Sequence, residues 1–384
     1  MKTKATAYKG ILKYNQLVYL FITIIIMGCS SDDNNKNKTQ KAFITTWITT
    51  TPNEDITIYT SSLPDVITPY NYTVDWGDGI ISENVTGDIS HDYTTAEVHT
   101  ISITGDFPAI LNTQDATNAA KLQTIENWGN IKWESMNSAF SRCENLTLTA
   151  TDTPNLSNVS DMETMFSNAS SFNGDISNWD VENVTNMRNM FSNASSFNQD
   201  ISDWNVSGVT DMNGMFFNAV VFNQDISSWN VGAVTTMEFM FTQASSFNQN
   251  LSNWNIDNVT DVTSMFSSAS SFNGDISDWN VSGVTNMRGM FLNASSFNQD
   301  ISDWDVSAVT NMVSTFRGAS SFNQDISGWE INEVTNMTNL FLDATVFSQD
   351  LSGWDTSNVT SCGNFSLNSG LTNADLPTFT NCTL

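Results

Sequence analysis

The sequence predicts a chain that is mainly a repeat solenoid, with one short parallel strand and one helical turn per coil, preceded by a small β-sandwich. A Phe and a Trp that each recur every 25 residues across eight copies predict the solenoid. Runs rich in Thr, Ile and Val, separated by Pro and Gly before residue 110, predict the sandwich. The Phe column holds Phe172, Phe197, Phe222, Phe247, Phe272, Phe297, Phe322 and Phe347, and the Trp column holds Trp179, Trp204, Trp229, Trp254, Trp279, Trp304, Trp329 and Trp354.

Composition narrows the classes of function. The chain has 384 residues, with 13 Lys and Arg against 41 Asp and Glu, and a net charge of −28. A surface of that sign repels phosphate, so we expect no nucleic-acid partner. Charged residues make up only 14% of the chain, and the polar surface comes mostly from Asn, Ser, Thr and Asp. This composition favours a secreted repeat or β-protein over a cytosolic enzyme.

Residues 1–28 have the pattern of a bacterial lipoprotein signal peptide. A Lys-containing segment precedes the apolar run Leu17–Met27, which at 11 residues is too short for a spanning helix. The run ends in Gly28 and Cys29, which resembles a lipobox and implies cleavage before Cys29 and lipidation of its sulfur. A plain secretory signal is the alternative.

The segment after the lipobox suggests where the protein is exported. An acidic pair, Asp32–Asp33, is similar to the surface-export tag of Bacteroidota lipoproteins, which implies the outer-membrane surface of a Gram-negative bacterium. Residues 29–41 are polar, and we expect a disordered tether.

Residues 42–110 are expected to form the β-sandwich. In "YTVDWGDG" a strand ends in a turn where Gly supplies positive φ. This stretch, with the following "HDYTTAEVHTISITG", resembles polycystic-kidney-disease (PKD) domains, which implies an Ig-like spacer. Asp75 and Asp78 could instead bind Ca²⁺ through carboxylate oxygens. The two His residues fit the strand pattern, and we expect them to be structural.

The solenoid is expected to have caps at both ends. Residues 111–158 would form the N-terminal cap with a degenerate repeat, residues 159–365 the eight repeats, and residues 366–384 the C-terminal cap. In one repeat the apolar residues from Val184 to Phe197 recur mostly at every third position, which predicts a helical turn. Trp179 and Val181 alternate with Asp180, which predicts a strand.

"AFSRCENL" (Ala139–Leu146) and the columns of the later copies resemble the BspA-type leucine-rich-repeat surface proteins. The resemblance covers about residues 121–364. It implies a leucine-rich-repeat-like fold and a surface protein that binds host or matrix partners, or one with no known partner.

The Trp column has two interpretations. If the rings faced outward, they would form an aromatic rail for sugar rings or for a protein partner. If they faced inward, they would be core, and the Val or Ile that follows two residues after most of them favours this second interpretation.

Two polar columns also recur every 25 residues. The Asn column that begins at Asn173 is expected to face inward and bond to backbone groups at each corner. An Asp column, interrupted only by Asn250, could accept backbone N–H bonds or be bridged by Ca²⁺, which we consider possible but do not favour. The Asp column includes Asp175, Asp200, Asp225, Asp275, Asp300, Asp325 and Asp350.

The residues immediately before and after each Trp vary between copies and are predicted to point outward. Together they predict an extended ribbon of carboxylates and amides, which is the best candidate for a contact surface. A hydrated face without a partner is the alternative. The candidate residues are Asp203, Asn205, Asp278, Asn280, Asp303, Asp305, Glu330 and Asp355.

Three Cys residues remain after Cys29. Their odd number argues against a disulfide framework. Cys362 and Cys382 could form one bridge, or could be two small buried residues.

The sequence contains no phosphate-binding loop, zinc-ligand spacing or nucleophile motif, so we expect no enzymatic activity. The prediction is a lipid-anchored surface protein for adhesion or ligand binding through the solenoid face, to a host, matrix or polysaccharide ligand. A glycan-binding module and a shielding protein without a specific partner remain as alternatives.

Overall fold

Eight strands and one short helix precede the repeats in the computed structural model, which describes residues 41–384. In chain order they are β1 (Phe43–Ile48), β2 (Glu54–Ile58), β3 (Asn71–Asp75), β4 (Ile81–Val85), β5 (Ile89–Tyr93), β6 (Val98–Asp106), α1 (Ala116–Ala119), β7 (Leu122–Asn127) and β8 (Thr147–Leu148).

Six of these strands form one mixed sheet in the order β4-β3-β6-β1-β7-β8, and β2 pairs with β5 in a separate sheet of two strands. Neighbouring strands are antiparallel except β7 and β8, which are parallel. In β3 and β6 the apolar residues at every second position are buried. Gly77 and Gly79 have φ of 81° and 94° in the turn between β3 and β4, which confirms the predicted role of Gly there.

The fold-class prediction is wrong for the first part of the chain. The strands do not form a sandwich confined to residues 42–110, because β7 and β8 extend the large sheet beyond that boundary. β1 pairs with β6 on one side and with β7 on the other. The sheet therefore continues into the segment expected to be a cap.

The fold-class prediction is also wrong for the repeats, although the repeats themselves exist. Beyond β8 the described chain contains neither strand nor helix, and its coils consist of turns joined by isolated parallel bridges such as Asn186–Asp211. The leucine-rich-repeat pattern of one strand and one helical turn per coil is therefore absent from this part of the chain. The segments around Trp179 and from Val184 to Phe197 are turns.

Backbone conformation explains why no helix forms. Each coil places two residues four apart in the left-handed region, as at Asn189 (φ 52°) and Asn193 (φ 59°), whereas a right-handed helix needs consecutive negative φ. The N–H groups of both residues donate to the next coil, to Asn213 O at 2.8 Å and Phe217 O at 2.7 Å. The spacing of three comes instead from short turns, such as Met190 N–H to Met187 O at 3.2 Å.

Aromatic ladders fill the interior of the stacked coils. Within one coil, the Phe191 and Phe197 rings stack with centroids 4.0 Å apart, and Phe191 stacks on Phe216 of the next coil at 5.7 Å. Together with the inter-coil hydrogen bonds, each contributing about 0.5–1.5 kcal/mol, these contacts couple each coil to its neighbours. One hydrophobic core runs from Phe43 to Phe365.

The C-terminal segment closes the last coil. Of the two alternatives for its cysteines, the structure shows the bridge, with Cys362 and Cys382 joined by a disulfide. The ring of Phe379 packs edge-on against Phe365 with centroids 5.1 Å apart. Cys143 is a buried free thiol. Nowhere in residues 41–384 is there a helix long and apolar enough to span a membrane.

Candidate binding face

The eight candidate residues predicted to point outward are all exposed in the structure. We call this set the acidic face: Asp203, Asn205, Asp278, Asn280, Asp303, Asp305, Glu330 and Asp355. Its members lie on either side of the Trp column, because side chains alternate between exposed and buried along this short segment.

The buried Trp rings fix the position of the acidic face. Members of the Trp column are 2–5% exposed, which confirms the core interpretation and rules them out as an outward aromatic rail. Each indole from Trp204 onward donates its Nε1–H to a main-chain carbonyl 28 residues earlier, as Trp304 does to Ile276 at 3.2 Å. The segment that carries Asp303 and Asp305 is therefore fixed in two ways, by the burial of Trp304 in the core and by its hydrogen bond to the preceding coil.

Three carboxylates of the acidic face line one cleft. Asp303, Asp305 and Glu330 line a cleft of about 350 Å³ with Ser302, Ser307 and Gly328. A second cleft of about 240 Å³, one or two coils away, brings together Asp278, Asn280 and Asp257. The remaining face residues are distributed over other coils.

Turn hydrogen bonds orient some of these carboxylates. Asp305 Oδ1 accepts from Ser307 N–H at 3.0 Å and from its hydroxyl at 2.6 Å. These bonds, the hydroxyl first, lower the pKa of Asp305, and bonds from Ser357, its N–H first, lower that of Asp355. The second oxygen of each of these two carboxylates accepts no hydrogen bond within residues 41–384, so it can accept one from a partner.

The Asp column is also hydrogen-bonded to its own turn. Asp200 Oδ1 accepts from Ser202 N–H at 3.0 Å, and the same bond recurs at Asp225, Asp275, Asp300 and Asp325. Bonds from the following Ser lower the pKa of Asp200, Asp225, Asp300 and Asp325.

Asn250 accepts the equivalent bond from Ser252 N–H at 2.8 Å, so an uncharged oxygen acceptor can also serve at this position. The sequence left two alternatives for the Asp column, acceptance of backbone N–H bonds or bridging by Ca²⁺, and the structure shows the backbone hydrogen bonds. In the part of the chain that the structure describes, no three His, Cys, Asp or Glu side chains cluster in a way that could hold a metal ion.

The Asn column bonds to backbone as expected but does not face inward. Asn173 is exposed, and its Oδ1 accepts the N–H of Asn198 in the next coil at 2.9 Å. The same bond continues along the column to Ser348, which donates its N–H to Asn323 at 2.9 Å. These side chains link coils from the outside.

The other early candidates have simple partners or lie outside the description. Asp78 pairs with His91 through Oδ2 and Nε2 at 2.7 Å, and Asp75 Oδ1 accepts the N–H of Gly77 at 3.0 Å. His99 is buried and bonds to Thr49 Oγ1 at 2.8 Å. The predicted signal peptide, Cys29 and all of the predicted tether but Lys41 lie outside the described residues.

Sequence reasoning missed a larger cleft of about 490 Å³. It is lined by turn residues of four consecutive coils, including Phe217 and Phe239, which are half-buried. Phe239 has φ of 58°, an unusual conformation for a bulky side chain that costs on the order of 1–3 kcal/mol. The available signal was that both Phe residues interrupt columns of mostly small or polar residues.

Comparison with known proteins gives one family match. A family model described as "Mycoplasma protein of unknown function, DUF285" matches three overlapping stretches, residues 134–233, 200–291 and 273–379. No curated protein and no solved structure matches the chain. The matched stretches contain the repeats and therefore the whole acidic face.

Proposed function

Because this chain belongs to the DUF285 family, which carries no assigned function, we propose a function from its own surface. The proposal is a lipid-anchored bacterial cell-surface protein that mediates adhesion or ligand binding through the acidic face. Its role is binding rather than catalysis.

One observation carries the proposal: three carboxylates, those of Asp303, Asp305 and Glu330, line one exposed cleft on a rigid stack. Carboxylates that line one cleft give it a negative potential, which attracts cationic groups. The Trp304 ring between Asp303 and Asp305 is buried and hydrogen-bonded to Ile276 O, which fixes the backbone that carries both residues. The cleft therefore suits a partner that brings Lys or Arg side chains.

Overall charge supports a basic partner. A net charge of −28 attracts cationic surfaces over long distances and speeds their encounter. The amides of Asn205 and Asn280 add donors and acceptors beside the carboxylates. A basic segment of a host or matrix protein is the partner class that fits this chemistry.

The membrane anchor remains a proposal from sequence. Cys29 would carry the lipid, and the polar residues up to 41 would separate the membrane from β1. The family description names Mycoplasma, not a Gram-negative genus, so the outer-membrane location rests on the sequence alone. Metabolic labelling with a fatty acid, lost in Cys29→Ala, would test the anchor.

Binding to extracellular-matrix proteins tests the acidic face. We would immobilise the full-length chain and measure its binding to a basic matrix extract, alongside the triple variant Asp303→Asn, Asp305→Asn, Glu330→Gln. Losing three charges from the cleft should weaken binding by about tenfold or more.

The matched control is Glu83→Gln, Asp92→Asn, Glu126→Gln, which changes the net charge equally at exposed residues outside the repeats. If both triple variants lose affinity equally, the acidic face has no special role. If the wild-type chain shows no saturable binding, the adhesion proposal fails.

A further inference from the structure

The cleft beside Phe217 and Phe239 is separate from the acidic face and lies among the turns of four coils. Its lining comprises aromatic, amide and hydroxyl groups, and contains no charged side chain. Its volume of about 490 Å³ lies within the range of small-molecule sites.

The two aromatic residues are exceptions within their columns. Phe217 occupies a position that elsewhere holds mostly Ser or Thr, and Phe239 one that holds only Thr, Asn, Gly or Ser. The equivalents of Phe217 are Ser167, Ser192, Thr242, Ser267, Leu292, Arg317 and Leu342. The equivalents of Phe239 are Thr164, Asn189, Gly214, Ser264, Gly289, Ser314 and Asn339.

The backbone at Phe239 suits Asn or Gly better than Phe. Every equivalent position has positive φ, for example 60° at Gly214 and 59° at Asn339, because its N–H must reach the next coil. The stack therefore imposes the left-handed conformation, and Phe239 adopts it at a conformational cost that Asn or Gly would not incur. Strained residues of this kind concentrate at functional sites.

Neither ring has a structural partner of the kind that the core rings have. Within residues 41–384, Phe217 and Phe239 stack on no other aromatic ring, whereas the Phe column forms a continuous ladder. Both residues are half-buried and line the cleft, so part of each side chain is accessible to a ligand.

Polar groups around the rings complete the site. Gly214 has no side chain, and Asn189 Oδ1 occupies the space that its Cβ would take, at 2.2 Å from that position. The side-chain amide of Asn189 has no hydrogen-bond partner among the residues that the structure describes. Asn193 Oδ1 accepts from Asn218 at 2.9 Å, which leaves an Asn193 N–H free to donate beyond its bond to Ser192.

We propose that this cleft binds a neutral hexose unit of a glycan, with a C–H face of the sugar on Phe217 or Phe239 and its hydroxyls on Asn189 and Asn193. The electron-rich face of an aromatic ring attracts the weakly positive C–H groups of a pyranose. Planar amides can both donate to and accept from sugar hydroxyls. An anionic sugar would meet a strongly acidic protein, which disfavours it.

Calorimetric titration of the full-length chain with maltohexaose, cellohexaose and mannohexaose tests the proposal. At least one should bind, and Phe217→Ser and Phe239→Asn should each weaken that binding by about tenfold. Phe239→Asn should also raise the melting temperature, by about 2–4 °C, because Asn tolerates positive φ.

Leu292→Ser is the matched control, because Leu292 is the half-buried equivalent of Phe217 outside the cleft. It should leave the affinity within about twofold of wild type, as should the acidic-face triple variant. The acidic-face triple variant separates the two proposals, because it removes charges used for adhesion and leaves the cleft beside Phe239 unchanged. Either proposal can therefore fail without the other. Absence of binding to all three oligosaccharides would overturn the inference, as would unchanged affinity in both Phe variants.

Discussion

Replacing Trp254 with Phe should destabilise the stacked coils mainly by removing one buried hydrogen bond. The Trp254 ring is 2% exposed, and its Nε1–H donates to Ile226 O at 3.0 Å. Phe keeps much of the apolar contact with Phe241 but leaves this buried carbonyl without its indole donor. Ile226 O keeps its other bond, from the Trp229 N–H at 3.1 Å, so the variant should lose the contribution of one buried hydrogen bond, about 0.5–1.5 kcal/mol.

Replacing Trp254 with Ala should cost more. It removes the same bond and also the ring that stacks on Trp229, with centroids 6.5 Å apart. Truncation of a buried Trp costs about 3–5 kcal/mol because the cavity does not fully collapse. The difference between the two variants separates the packing of the ring from its hydrogen bond.

Urea unfolding of the full-length chain, followed by circular dichroism, measures both losses. Trp354→Phe serves as a comparison, since its ring lies in the last repeat and donates an equivalent bond to Ile326 at 3.2 Å. A central coil has two neighbours that depend on it, so the loss at Trp254 should be at least as large as that at Trp354. A Trp254→Phe variant within about 0.5 kcal/mol of wild type would refute the structural role given to the indole N–H.

Four further outcomes are expected. Iodide should quench little of the fluorescence from the Trp column, because its members are 2–5% exposed, and strong quenching would contradict their burial. Asp200→Asn should leave stability within about 0.5 kcal/mol of wild type, since Asn250 makes the same bond, while Asp200→Ala should lose about 0.5–1.5 kcal/mol in the same urea assay. Hydrogen bonds from the following Ser hold the pKa values of Asp200, Asp225 and Asp300 below the ordinary range of an Asp side chain, so the stabilisation from these carboxylates is present at neutral pH and is lost as the pH falls through their folded pKa values. The melting temperature should therefore drop in acid, and less so when all three are Asn. Cys382→Ser should destabilise the last coil by about 3 kcal/mol, and equal protease resistance of that coil in variant and wild type would contradict this.

Periodicity predicted the core better than the backbone. The recurrence of Phe and Trp every 25 residues identified side chains that are buried in the structure, and alternation around each Trp identified exposed neighbours such as Asp203 and Asn205. These inferences depend only on which residues face a shared interior, so they hold for any stacked repeat.

Secondary structure could not be read from the same pattern. An apolar residue at every third position, as at Val184, Met187 and Met190, fits a helical turn and also a series of short turns. What separates the two is the sign of φ at Asn189 and Asn193, which side-chain hydrophobicity does not report. The useful signal was the set of Asn and Gly residues in those two columns, since both tolerate positive φ.

The same backbone constraint gives meaning to the exceptions. The side chains of Asp303 and Glu330 make none of the hydrogen bonds between described coils, so exposed residues of this kind can change between copies without weakening the stack. Phe239 is different, because it stays at positive φ, where Asn or Gly would be more stable. Thr164, Ser264 and Ser314 share this backbone conformation, so what sets Phe239 apart is that it places a bulky aromatic ring in the cleft. The cleft beside Phe239 is therefore better supported as a specific site than any single residue of the acidic face.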